Sequence, residues 1–253
     1  MTPDAVVAEA AEIQRLATAS GIHLRLIGSL GIFWRCPERR GLFDPLGRRP
    51  PQDIDLIGYA KQERVAASLF LDRGYVQHPS VRHSREWGVN RLIYTHPEHG
   101  GKVDMFLDRL VMAHTIDFTG RLENEAVTVS VGDLLLSKLQ IHRITLNDFI
   151  DLTVLLAEYD IAGGSDRSTL DRVRSVLSDD WGFAHGAKLN LGLLATEVRG
   201  FQRLDTKVRD LVLTRIARLG EAIERAPKSA RWRLRARLGT RASWYEHVDD
   251  VDH

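Results

Sequence analysis

Asp53 and Asp55 flank a single isoleucine in Pro51-Gln52-Asp53-Ile54-Asp55-Leu56-Ile57, and a third acid, Asp104, stands in the apolar run Lys102-Val103-Asp104-Met105-Phe106. Alternation with apolar residues has the period of a β-strand. It sends Asp53 and Asp55 to one face and Ile54 and Leu56 to the core. Residues two apart on a strand have Cα atoms roughly 6.6–7 Å apart, so both carboxylates can reach one metal centre. If the second run pairs with the first, Asp104 arrives about one strand spacing (~4.8 Å) away. Three such carboxylates repel one another until cations neutralise them, and an all-oxygen ligand set suits Mg²⁺ or Mn²⁺. A lone Asp-x-Asp is common at strand ends and turns, so the expectation needs further support.

That support is Gly28-Ser29. Residues 22–27 read as a strand, and Leu30-Gly31-Ile32-Phe33-Trp34 can open a helix. Ser29 would then sit at the N-cap, with Gly28 allowing close approach of a ligand to the backbone. A helix N-terminus offers free N–H groups and partial positive charge, which suits a phosphate. A phosphate cradle, an Asp-x-Asp strand and a distal Asp strand together form a three-part arrangement that chance seldom produces.

At these residues the chain resembles the nucleotidyltransferase superfamily related to DNA polymerase beta. The resemblance implies a cradle at Gly28 and Ser29, metal ligands at Asp53 and Asp55, and a third carboxylate at Asp104. Asp133-Leu134-Leu135-Leu136-Ser137-Lys138-Leu139 and Asn147-Asp148-Phe149-Ile150-Asp151-Leu152 are similar to the Lys and Lys-Asp-x-x-Asp segments of AbiEii-type toxin nucleotidyltransferases. Lys138, Asp148 and Asp151 match that pattern, and Asn147 stands where that family usually has Lys. The similarity covers roughly residues 20 to 160. It departs from the family in the long Leu30–Gln52 link and in Gln52, where Ser or Thr is customary.

The resemblance implies Mg²⁺-dependent transfer of NMP from an NTP such as ATP to a hydroxyl. Asp53, Asp55 and Asp104 would be both metal-binding and catalytic, Lys138 and Asp148 catalytic, and Gly28, Ser29 and Lys138 nucleotide-binding. The acceptor would be an RNA 3′ end or a protein, with an antitoxin as a possible further partner. By resemblance to antibiotic nucleotidyltransferases, it could instead be a small hydroxylated molecule. A non-catalytic nucleotide- or nucleic-acid-binding module on the same fold is a further alternative. Retention of three acids, costly to bury without a cation, argues against it.

Other residues carry competing readings. Lys138 interrupts the apolar stripe of Leu135, Leu136 and Leu139, where it can snorkel outward or, as the resemblance implies, face phosphates. Asp148, three residues after Thr145, can complete a capping box as well as serve a site, and it shares a helix face with Asp151. His78, His83, His96 and His99 lack a tight metal-ligand spacing and read as exposed or substrate-contacting. No Gly-x-Ser-x-Gly elbow surrounds Ser29, and Cys36 reads as structural. Arg35, Arg39, Arg40, Arg48 and Arg49 read either as a solvated loop or as an arm clamping triphosphate or RNA. The basic stretch Lys228–Arg241, with Trp232 and Trp244 nearby, either packs its apolar side on the core or stacks on bases. Packing is the favoured reading.

Composition bounds the class. The 253 residues are 43% hydrophobic and 27% charged, with a net charge of +1. This is an ordinary globular balance with no global basic signal for nucleic acid. One cysteine excludes an intramolecular disulfide and fits a reducing compartment. The absence of a basic-then-apolar start, or of any apolar run near ~18 residues, leads us to expect a cytoplasmic protein with no membrane partner.

The elements that must position these groups are legible in outline. Thr2-Pro3-Asp4 starts a helix that Gly21 stops, and a helix over 61–73 ends at Gly74. Val89–Thr95 and Lys102–Leu107 read as an antiparallel pair, and 115–118 and 126–131 as further strands. Helical periodicity then sets in near 132–143, 146–159, 167–178, 187–199 and 205–226. The expected architecture is α/β (α+β), with a mixed sheet and flanking helices over 1–130 and a helical C-terminal region over 131–253.

Overall fold

The computed structural model describes residues 2–49, 51–78, 91–164 and 167–246. The fold is mixed α/β, with a five-stranded sheet, a small two-stranded sheet and a helical C-terminal region. The chain divides into two compact units. One comprises 1–34, 49–111 and 117–129; the other comprises 35–48, 112–116 and 130–253. The helical unit therefore takes in two segments from the first half of the chain.

In the sheet unit, α1 (Pro3–Ala19) begins where the Thr2 side chain accepts the Ala5 N–H at 3.3 Å. It buries Val6, Ala10, Ile13 and Ala17, an i, i+4, i+7, i+11 stripe that commits one face to the core. α2 spans Gly28–Arg35 and α3 spans Glu63–Asp72, which buries Ala66, Leu69 and Phe70. The strands are β1 (Arg25–Leu26), β2 (Asp53–Gly58), β3 (Val76–Gln77), β4 (Arg91–Thr95) and β5 (Lys102–Leu107), in the order β1-β2-β5-β4-β3. β2 and β5 run parallel, and the other pairings are antiparallel. One sheet face supplies Ile54, Leu56, Val103, Met105, Leu107, Leu92 and Tyr94 to a core shared with α1 and α3. Each such aliphatic side chain contributes about 1.5–3 kcal/mol when fully buried. The register that buries these residues fixes which residues the opposite face presents.

β6 (Arg109–Val111) and β7 (Thr115–Asp117) make the small sheet. In the helical unit, α4 (Val131–Leu139) starts at the Ser130 cap and is buried along its whole length. α5 (Leu146–Glu158) is buried at every position from Phe149 to Ala157, as expected of a central helix. Around them stand α6 (Arg167–Asp179), α7 (Trp181–Gly200), α8 (Thr206–Arg225) and α9 (Ala230–Ala236). Asn190 of α7 donates to the carbonyls of Leu139 and Ile141 at 2.9 and 2.8 Å, satisfying the end of α4.

Several local expectations are corrected. The strand expected over 22–27 contracts to Arg25–Leu26. The stretch 126–131 is not a strand: Leu26 exchanges bonds with Val127 and Val129 around a single bridge at Thr128. α7 begins at Trp181, because Asp180 caps it by accepting the Phe183 N–H at 2.9 Å. The Lys228–Arg241 stretch contains α9, capped by Ser229. On it, Leu234 is 66% and the following Leu238 54% exposed, while Trp232 is half-buried and the helix packs against α6 and α7, so the expected packing holds for part of the segment only. An alternation of period two cannot keep its apolar members on one face of a helix of period 3.6. The expected start of β4 at Val89 lies outside the described residues.

Candidate functional site

Register assembles the acids. Asp55 stands opposite Asp104 across the parallel β2–β5 pair, and Asp53 stands opposite Lys102. Side chains directly opposite each other share a face, so Asp53, Asp55, Asp104 and Lys102 all project from the side opposite the apolar core. β4 adds Arg91, which pairs with Phe106 and lies diagonal to Asp104, within reach of a long side chain.

Asp104 is 4% exposed. Its Oδ2 accepts a bond from Arg91 Nη2 at 2.6 Å and faces Lys102 Nζ at 3.4 Å. Its Oδ1 is buried and has no hydrogen-bond partner among the described residues. The Arg91 guanidinium lies 5.4 Å from the Phe106 ring centroid, a cation–π contact, while its buried Nε also lacks a partner. Asp53 and Asp55 are half-buried. Arg91 was missed in the sequence, although the short His96–Gly101 connection sets the register that brings it to this face.

Gly28 meets the same acids. It opens α2 at φ +62°, and a Cβ there would lie 2.5 Å from Asp55 Oδ2. The Gly31 N–H bonds the Ile27 carbonyl at 3.1 Å, so the helical turn already includes Ser29. The expectation that Ser29 is the N-cap is thus corrected by about one residue, because glycine alone enters the helix at positive φ without strain. Gly28→Ala should lose about 1–2 kcal/mol from the left-handed backbone alone, beyond whatever moving Asp55 costs. Chemical denaturation would measure it, and an unchanged midpoint would contradict the close approach.

The residues fit a divalent cation in three respects: the donors are all oxygen, register gives them one face, and Asp104 Oδ1 is an unpartnered buried acceptor. Among the described residues, however, no group of three or more His, Cys, Asp or Glu side chains is arranged to hold a metal ion. Asp104 is held by Arg91 and Lys102 instead.

Lys138 and Asp148 belong to the helical unit and form a second ionic cluster. Lys138 Nζ lies 2.7 Å from Asp148 Oδ1 and 2.8 Å from Asp151 Oδ2, with only 8% of its side chain exposed. Asp151, 1% exposed at its side chain, also accepts Arg48 Nε at 2.6 Å and Nη2 at 3.2 Å. Asp148 Oδ2 accepts from the N–H and hydroxyl of Thr145, so it serves the helix start and the ion pair at once. Arg48, read in the sequence as part of a solvated loop or clamping arm, is drawn onto α5.

Burial opposes the charge on Lys138, but Asp151 and Asp148 outweigh it and hold the ammonium above the usual lysine range. Burial likewise opposes the Asp148 carboxylate, but Lys138 and the Thr145 bonds hold it below the usual range. The contribution of Asp148 to stability is therefore complete above its ordinary value of 3.8 and lost as pH falls through the lowered folded value. That of Lys138 is complete below its ordinary value of 10.5 and lost as pH rises through the raised folded value. Melting temperature followed against pH should lose stability from this cluster on both sides, and Lys138→Met should remove the alkaline limb.

The remaining candidates are accounted for briefly. Cys36 is buried, and burial pushes its thiol up to about 12, which leaves negligible thiolate near neutrality. His96 and His99 stack at 3.7 Å beside Tyr75 and accept backbone N–H bonds within their own turn. His83 lies outside the described residues. A groove of about 700 Å³ along α7 and α8 is lined by none of the candidate catalytic residues. Among the described residues, no helix is long and apolar enough to cross a membrane. No family model and no curated protein matches the chain.

Proposed function

We propose that the sheet face carrying Asp53, Asp55 and Asp104 is the catalytic site of a nucleotidyltransferase that moves NMP from an NTP to a hydroxyl acceptor. The observation that carries this reading is the register: Asp55 opposite Asp104, Asp53 two residues before, and Gly28 closed directly onto Asp55. A divalent cation bound there would neutralise phosphate charge and lower the pKa of the acceptor hydroxyl. Asp53 and Asp55 supply the half-buried carboxylates that such a cation needs, and Asp104 Oδ1 supplies a further acceptor. The first turn of α2, opening at Gly28 and Ser29, presents backbone N–H groups for the triphosphate. The Arg91 guanidinium, resting on the buried Phe106 ring, gives the same face a cationic group.

An RNA or protein acceptor is the preferred substrate class, following the resemblance in the sequence. Arg233 and Arg237 of the α9 segment are exposed and could meet RNA phosphates. Arg235 is already committed to the carbonyls of Gly239, Ala242 and Ser243 and lies 4.9 Å over the Trp181 ring. Each NTP, labelled on the α-phosphate, would be incubated with the protein, Mg²⁺ and a total RNA and protein extract. Label on RNA that fades steeply with salt, with a log–log slope near −0.7 per contacted phosphate, supports an RNA acceptor. Label on protein supports the second, label on a small molecule redirects the acceptor, and no Mg²⁺-dependent labelling contradicts the proposal.

A further inference from the structure

We infer that Arg91 is a resident counter-cation of the acid face, holding Asp104 until a divalent cation displaces it, so that the site loads metal by exchange. The inference rests on the proposed function and adds a regulatory contact to the same site. Three observations carry it. Asp104 is almost fully buried yet shares only one oxygen, Oδ2, with Arg91 and Lys102, while Oδ1 has no partner among the described residues. Arg91 meets it through Nη2 at 2.6 Å, and its buried Nε is equally unpartnered. Arg91 also rests on Phe106, a surface that can hold the guanidinium beside the face after it leaves the acid.

A pair built for stability alone would be bidentate, with both carboxylate oxygens and two guanidinium nitrogens satisfied. This one leaves an acceptor and a donor unmet in a buried setting, which makes the contact less favourable than its length implies. A doubly charged cation facing Asp53, Asp55 and Asp104 gains more Coulomb energy than one guanidinium facing Asp104. It can also use Oδ1, which Arg91 leaves idle. Once released, the guanidinium stands beside the face as a planar donor suited to phosphate oxygens. Lys102, two residues from Asp104 on the same strand, keeps a single point charge there.

The test is an Mn²⁺ titration followed by electron paramagnetic resonance on full-length wild type, Arg91→Met, Arg91→Lys, Asp55→Asn and the double variant Arg91→Met/Asp104→Asn. Exchange predicts that Arg91→Met binds Mn²⁺ about tenfold tighter than wild type, the worth of one charge-assisted contact. It also predicts a smaller gain for Arg91→Lys, which keeps the charge without the fork, and loss of the gain in the double variant. Equal or weaker Mn²⁺ binding by Arg91→Met and Arg91→Lys, with wild type binding through Asp55, overturns the exchange and leaves the proposed function standing. No Asp55-dependent Mn²⁺ binding by any variant overturns both. Should Arg91→Met fail to fold, the Arg91→Lys comparison alone decides, by the same sign of the change.

Discussion

Lys138→Met should destabilise the protein by about 3–5 kcal/mol, the range for breaking a buried ion pair from one side. Methionine keeps much of the lysine stem's packing, and the sequence alone therefore argues for little change in stability. The cluster around Lys138 reverses that expectation. Its ammonium stands 2.7 and 2.8 Å from Asp148 and Asp151, and Asp151 is fully buried. Removing the ammonium takes from Asp151 a partner that Arg48 does not replace and leaves the Asp148 carboxylate its bonds from Thr145. Urea denaturation at neutral pH measures the loss, and a change below about 1 kcal/mol would show that the carboxylates find other partners. Arg48→Gln should be destabilising for the same reason, acting through Asp151. A phosphate role for Lys138 would require it to exchange these carboxylates for the ligand.

Asp53→Asn or Asp55→Asn should reduce nucleotidyl transfer by at least about 10²–10³-fold, the scale on which single electrostatic groups at a reacting centre act. Asp53→Asn should leave the melting temperature unchanged or slightly raised, because it removes a like charge from one sheet face. Asp104 departs from this rule. It is buried and paired with Arg91 and Lys102, so Asp104→Asn leaves two cations without their carboxylate and should lower stability as well as transfer. Thermal melts and single-turnover assays on the three variants separate the effects. Substantial residual transfer by Asp55→Asn would remove that residue from the mechanism.

Period-two alternation around Asp53 and Asp104 was enough to place the acids on strands and to give their face, because burial of Ile54, Leu56, Val103 and Met105 leaves no other register. The shortness of the His96–Gly101 connection made the β4–β5 pairing legible. The partner of Asp104 was not: Arg91 reaches it diagonally across strands, and a cross-strand diagonal has no signature in local spacing. The Arg48–Asp151 pair was hidden for the same reason, since its members stand 103 positions apart. At α9, the Arg-apolar alternation told only part of the packing because capping by Ser229 selects a helix, whose period turns Trp232 inward and leaves Leu234 and Leu238 exposed. Gly28 was read as permitting a ligand's approach. What it meets in the structure is the Asp55 carboxylate.

The most direct test of the catalytic reading is pyrophosphate release from each NTP by the purified protein, with the total extract as acceptor source and Mg²⁺ present or chelated. Release that needs Mg²⁺ and is lost in Asp55→Asn, while that variant remains folded by circular dichroism, is the expected result. Failure of any NTP to yield pyrophosphate, or equal release by wild type and a folded Asp55→Asn, would contradict the assignment of the sheet face as a nucleotidyltransferase site.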